Sequence, residues 1–268
     1  FWLNYCMDSG FDTCRFDYPA THKFVLGAFK WFANHNPRSN PNKMSSYSGG
    51  KGNHFINSVI HRSNAPIAFD SDGVLIENSL FSDIEWQVNS NGGSGSVMFG
   101  KNAIFRRNTV QRGGNCEGIR AIDNGSVIEL NRVTDSGNLQ HDGSAINVGT
   151  TKHAGTRVAY NWSHDTNGQG IRFDYHGERV FRPDGELYGD GVYMNNVSWN
   201  TMTNQIKGDR HLVLNNTVIN SSSYPVFEEE KVTLAVQGFR SMHGIMGNML
   251  SRTRNKLATS KNRSWNED

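Results

Sequence analysis

Charge of one sign, cysteine, proline and long apolar runs are all scarce in this sequence, and each scarcity closes off a class. Lysine and arginine number 27 against 25 acidic residues, a net charge of +2 spread along 268 residues. Electrostatics therefore makes no case for a nucleic-acid partner. No apolar run approaches the ~18 residues of a membrane span. Three cysteines exclude a disulfide-stapled scaffold. In an oxidising compartment Cys6 and Cys14 could pair, leaving Cys116 as a small buried filler. Six prolines, and few Ala and Leu, give a helical architecture little to build with. The chain opens Phe1-Trp2-Leu3 without an initiator Met or a signal peptide. That reads as a processed or trimmed form whose address is not written in it.

Asparagine and glycine are abundant instead, with 31 Asn and 28 Gly. Both tolerate tight and left-handed turns, which suits a chain of many short strands. Eight short segments superimpose on an Asn near the end of an apolar run: Asn57, Asn78, Asn108, Asn131, Asn161, Asn196, Asn216 and Asn248. Positions two before and two after this Asn are mostly apolar, the alternation of a half-buried strand. Successive spacings of 21, 30, 23, 30, 35, 20 and 32 residues fit a solenoid whose coils carry inserted loops. A second strand recurs about ten residues on, at Ile67, Val88, Ile171 and Ile206, with Ile119 and Ile146 slightly later. Stacked coils lie about 4.8 Å apart, so the Asn column is expected to form an amide ladder along the axis. Sequons at Asn124, Asn161, Asn196, Asn215, Asn220 and Asn262 are about as many as chance gives in so Asn-rich a chain, and say little about glycosylation.

These repeats, NWSHDTNGQGIRFD and NQIKGDRHLVLNNTVINSS above all, resemble the pectate-lyase-like superfamily of right-handed parallel β-helix proteins. The resemblance covers roughly residues 50–221 and one coil near Asn248. It implies one all-β solenoid over 1–268, secreted or cell-surface, with irregular coils in 1–50. Regular coils fill 50–221, and an excursion, a last coil and a polar tail fill 222–268. For activity it implies only a class. The polygalacturonase set of Asn-Thr-Asp, paired Asp, Gly-His-Gly and Arg-Ile-Lys is missing, Gln205-Ile206-Lys207 echoing its last element alone. The Trp-x-Asp-His signature of the major pectate lyases is missing too.

On a strand the residue after an inward Ile points outward, as does the one two further on. The first outward column then reads Ala68, Asn89, Arg120, Asn147, Arg172 and Lys207, and the second Asp70, Asn91, Asp174 and Asp209. Phe69, Ser90, Ala121, Val148, Phe173 and Gly208 would point inward between them. A basic stripe at regular rise suits a linear polysaccharide bearing carboxylates or sulfates; the plain rival is a solvated face of cross-coil ion pairs. Long excursions bring His141, Asp142, His153 and His176, with Tyr175 and Tyr188 as sugar-stacking platforms. A lyase would use Arg172 and Lys207 against the uronate and His176 as base. A hydrolase would use Asp174 with Asp209 or Asp190. Ca²⁺ could sit among Asp184, Glu186 and Asp190, although a solvated acidic loop is the simpler reading, and no other metal or cofactor is indicated. His164-Asp165 occupies a turn where other coils carry Thr134-Asp135 and Ser82-Asp83, so the turn alone accounts for the Asp. The expected function is a polysaccharide lyase or glycoside hydrolase on an acidic polysaccharide. The rival is a non-catalytic structural or adhesive β-helix, such as a glycosylated surface-fibre subunit that self-associates.

Overall fold

A computed structural model of the chain describes residues 2–3, 6–19, 24–27, 50–86, 95–115, 117–139, 142–149, 153–174, 189–207, 211–219, 234–237, 245–246 and 249–251. These residues form nine coils of three strands each, and equivalent strands stack into three nine-stranded parallel sheets. The result is a parallel β-helix. In coils three to eight the first sheet contains Ile67–Asp70, Gly95–Phe99, Glu117–Ala121, Ser144–Val148, Gln169–Phe173 and Asn204–Lys207. The first coil is made by Trp2–Leu3, Gly10–Asp12 and Arg15–Asp17, and the ninth by Leu234–Gln237, Ile245–Met246 and Met249–Ser251. No described residue lies in a helix.

The sharp turn from the second sheet to the third explains the repeat. One residue there takes a left-handed backbone: Asn57, Asn78, Arg107, Leu130, Tyr160, Asn195 and Asn215, all with φ between 49° and 59°. Side chains other than Asn or Gly dislike this region, so Leu130 and Tyr160 need compensation from elsewhere. The next residue supplies it. Asn131 Oδ1 accepts the backbone N–H of Asn108 at 2.9 Å and its side-chain amide at 3.3 Å. The Asn131 amide in turn donates to Phe105 O at 2.8 Å and to Asn161 Oδ1 at 3.0 Å. The pattern repeats through Asn161, Asn196 and Asn216, all buried. Each amide thereby satisfies a turn N–H and a carbonyl that the parallel ladder leaves over.

Two members of the expected ladder are displaced. Asn57 and Asn78 sit at the left-handed position and face outward, where Asn78 donates to Asn57 Oδ1 at 2.8 Å and Asn57 to Asp12 at 2.9 Å. The buried column continues instead through Ser79 and Ser58. Ser79 N–H donates to Asn108 Oδ1, and each hydroxyl accepts from the coil below while donating to its own carbonyl two residues back. A hydroxyl can do both jobs, so the sequence repeat is offset by one residue in these coils. Ile60 and Phe81, not Val59 and Leu80, are the buried side chains there. Asn248 lies outside the described residues. The sequons at Asn161 and Asn196 are ladder members, their amides committed inside the wall.

The first sheet also departs from expectation at two places. Val97, not Val88, continues the column Ile67, Ile119, Ile146, so Met98 takes the outward position given to Asn89; residues 88–91 lie outside the described residues. In coil eight Ile206 pairs with Phe173 and Gln205 with Arg172. Lys207 therefore falls in the Asp174 column rather than the Arg172 column, and Ile206 takes the inward position given to Gly208. The residue opposite Ile171 is Asn204, tolerated in the core because its amide reaches Tyr193 Oη at 2.6 Å and Ser198 Oγ at 3.0 Å. Phenylalanines fill the core of the early coils, Phe55, Phe69, Phe81, Phe99 and Phe105 lying 5.0 to 6.0 Å apart in successive contacts; aliphatic residues take over in coils five and six. Cys6 and Cys14 are unbridged, the strand Gly10–Asp12 running between them.

Two measurements check this account. Asn161→Ala strands Asn131 N–H and Ile128 O in the wall, and should lower unfolding stability by about 3 kcal/mol in urea titrations. The exposed Asn78→Ala should change it by less than about 0.5 kcal/mol. On the outer face of the third sheet, two 2.8 Å hydrogen bonds from Arg112 hold the Asp83 carboxyl at about 2, down from 3.8. A lowered carboxylate stabilises the fold above its unfolded value and loses that contribution as pH falls from about 4 to 2. Arg112 is 43% exposed, so screening leaves about 1 kcal/mol. The destabilisation by Arg112→Gln should be present at pH 6 and gone near pH 2.

Candidate functional site

The outer face of the first sheet turns polar along its length. Its central column reads Ala68, Met98, Arg120, Asn147, Arg172 and Gln205. Coil five also brings in Glu117, two residues before Ile119, with Ser144 and Gln169 in register above it. Glycines make room: a Cβ on Gly95 would lie 2.9 Å from Arg120 Cβ, and Gly149 lies under the Arg120 guanidinium.

Glu117 is the centre of the cluster. Only 3% exposed, it accepts Ser144 N–H at 2.7 Å and Ser144 O–H at 2.6 Å on one oxygen, and the Asn147 amide at 3.1 Å on the other. Burial pushes its carboxyl up, against the opposing pull of Arg120, Ser144 and Arg172. Two coils away, Asp174 Oδ1 accepts Arg172 Nη2 at 3.0 Å and Lys207 Nζ at 2.9 Å. Arg172 also reaches Asp142 at 3.3 Å. Burial opposes the charge on Arg172 and is outweighed by Asp174, Glu117 and Asp142. One arginine thus pairs with Asp174 and Asp142 and acts on Glu117 through its charge. Among the described residues, the buried atoms Asn147 Oδ1, Gln169 Oε1 and Arg172 Nε have no hydrogen-bond partner.

Two buried histidines set the edge of this face. His153 stacks on Phe173 at 5.4 Å and its Nε2–H donates to Asp174 O at 2.9 Å. Burial and neighbouring His211 hold its pKa down at about 3, so it is neutral at ordinary pH. His211 Nδ1 accepts Gly191 N–H at 3.0 Å and its Nε2–H donates to Lys207 O at 2.9 Å. The pair fixes the backbone of the two residues whose side chains meet outside.

Arg120, Asn147 and Arg172 stack on successive coils of one face, with Lys207 against Asp174 rather than above Arg172. His153 lies in the connection between Ser144–Val148 and Arg157–Ala159, where it is a buried framework group rather than an exposed one. Asp209, His141, His176, Tyr175 and Tyr188 lie outside the described residues, as do Asp184 and Glu186. Among the described residues no three His, Cys, Asp or Glu side chains are grouped to hold a metal. Strand alternation after each inward Ile does not point to Glu117, Ser144 or Gln169, and His211 is a buried residue of a connection that no strand pattern marks. Position 118 faces the core together with Ile119, a Cβ at Gly118 meeting the Val133 side chain at 2.6 Å, so alternation breaks there and Glu117 joins Asn147 on the outer face. No protein-family model matches the chain, and no curated protein or solved structure matches it.

Proposed function

We propose that this face is the active site of an extracellular carbohydrate-active enzyme, a glycoside hydrolase acting on an acidic polysaccharide, on a β-helix of the pectate-lyase-like kind. The observation that carries the reading is two carboxyl groups in opposed environments on one polar face, Glu117 buried and Asp174 ion-paired, with Arg172 bonded to Asp174 and acting on Glu117 only through its charge. Glu117 is buried and pushed toward its protonated form, the state a general acid needs. Asp174 is clamped by two cations at 3.0 and 2.9 Å, which favours the carboxylate. In such a pair the acid protonates the departing glycosidic oxygen, while the carboxylate takes a proton from attacking water or itself attacks the sugar carbon. Arg120 and Lys207 are only half-buried and offer charge to uronate or sulfate groups. The coil rise of about 4.8 Å is close to the length of one sugar residue. A lyase would use the same cations to neutralise a uronate.

A second reading has its own support. Ion pairs join Asp142 to Arg172, Arg172 to Asp174 and Asp174 to Lys207 across three coils, as in a network that only stitches coils together.

Incubation with uronic-acid and sulfated polysaccharides separates these readings. Hydrolysis releases reducing ends without the ultraviolet absorbance of an unsaturated product; that absorbance would mean a lyase. Glu117→Gln and Asp174→Asn should each lower kcat by about 10²-fold or more. The wild-type rate should fall as pH rises through the pKa of Glu117, which must hold its proton to act. Stability losses in both variants with no turnover on any polymer would leave the stitching network and overturn the enzyme.

A further inference from the structure

The third sheet carries an exposed aromatic surface that this face does not use. Its outward column runs Arg132, Trp162, Val197 and Thr217, and the neighbouring column Thr134, His164, Trp199 and Ile219. Trp162 is 56% exposed, an unusual place for an indole. Arg132 stands beside it on the same column, exposed and one coil away.

One buried residue holds Arg132 directly and Trp162 through Trp199. His164, 4% exposed, accepts the Arg132 Nε–H on Nε2 at 2.9 Å. Its Nδ1 therefore carries the proton and donates to Asp165 Oδ2 at 2.6 Å. The imidazole stacks face to face on Trp199, 4.1 Å between centroids and 5° from parallel. Trp199 in turn meets Trp162 edge to face, 6.3 Å and 67° apart. The second Asp165 oxygen is taken by the Asn200 amide at 2.8 Å, so the acid is turned inward on its own turn. A solvated turn does not need this arrangement. A binding surface does, because both contact groups are fixed before the ligand arrives.

We propose that Trp162 and Arg132 form a sugar-binding subsite for an acidic polysaccharide, with His164 as the residue that positions both. Trp162 offers a flat apolar face to the C–H side of a pyranose. Arg132, about 4.8 Å along the axis, offers guanidinium N–H groups to a carboxylate or sulfate on the same or the next sugar. Exposed Tyr160, two residues before Trp162 on the adjoining turn with the Arg157 guanidinium 5.8 Å from its ring centroid, extends the platform. The subsite lies on a different sheet from Glu117 and Asp174, so binding here neither requires turnover there nor follows from it.

Tryptophan fluorescence titrations and calorimetry with polygalacturonate, heparin and neutral pullulan test this, using protein carrying Glu117→Gln and Asp174→Asn to stop turnover on the other face, so that binding by its remaining cations is the common background against which the third-sheet variants are compared. One or both acidic polymers should bind saturably, the pair reporting whether carboxylate or sulfate is preferred, and pullulan at least about tenfold more weakly. Trp162→Ala and Arg132→Gln should each weaken acidic-polymer binding about tenfold. Far-ultraviolet circular dichroism should stay unchanged and melting should fall by no more than a few degrees, since both side chains are exposed and Arg132→Gln gives up one hydrogen bond to His164. Added salt should weaken binding by Arg132-containing protein more than by Arg132→Gln. Affinity indifferent to both substitutions, or no saturable binding, overturns the subsite. So does a fall in sedimentation coefficient in Trp162→Ala without loss of sugar binding, which would make the surface a contact between copies of this chain. Absence of turnover by the wild-type protein, with this binding intact, would remove the enzyme reading and leave the subsite standing.

Discussion

Everything in this molecule rests on a polar group being satisfied in a place where the chain turns too sharply to satisfy itself. Between the second and third sheets one residue per coil is forced into a left-handed backbone, even where it is Leu130 or Tyr160. The backbone amide that follows points along the axis with no strand partner. A side-chain amide from the next coil accepts it, and the same side chain donates back to a carbonyl of the coil below. The two sheets can therefore meet at a tight corner, and a tight corner keeps the core a narrow column that a modest hydrophobic fraction can fill. Coil-on-coil register follows, since a slip would cost several buried hydrogen bonds at once.

That register is what aligns chemistry on the outside. Arg120, Asn147 and Arg172 come from segments far apart in sequence, yet they sit on successive rungs because each inward Ile beneath them stacks on the next. The same holds for Arg132 beside Trp162 on another sheet. A solenoid turns intervals of 20 to 35 residues into neighbours about 4.8 Å apart, so linear arrays of side chains arise without loops to carry them.

The architecture was legible because the ladder Asn recurs with matching flanks, and one-residue offsets were not. Serine can replace Asn in the column by using one hydroxyl for two bonds, which moved Asn57 and Asn78 outside. Asn204 can replace Ile in the core because Tyr193 and Ser198 meet its amide, which hid the true alignment of Lys207. Candidate site residues were half-legible for a related reason. Charged residues just after an inward Ile could be read from strand alternation, but Glu117 needs the break in alternation at Gly118, and His153 needs the knowledge that its ring lies under Phe173. His164 was expected in a turn, but it ends the strand Trp162–His164 and only Asp165 lies in the turn; the stacked Trp199 shows what else it holds.

The most direct test of the ladder is side-chain amide hydrogen exchange, followed by nuclear magnetic resonance on protein labelled with ¹⁵N at asparagine. The account predicts slowly exchanging Nδ2 protons at Asn108, Asn131, Asn161, Asn196 and Asn216, released only by opening of the wall, and rapid exchange at Asn57 and Asn78. Exchange of the first group at the rate of the second would show that no continuous amide column joins the coils.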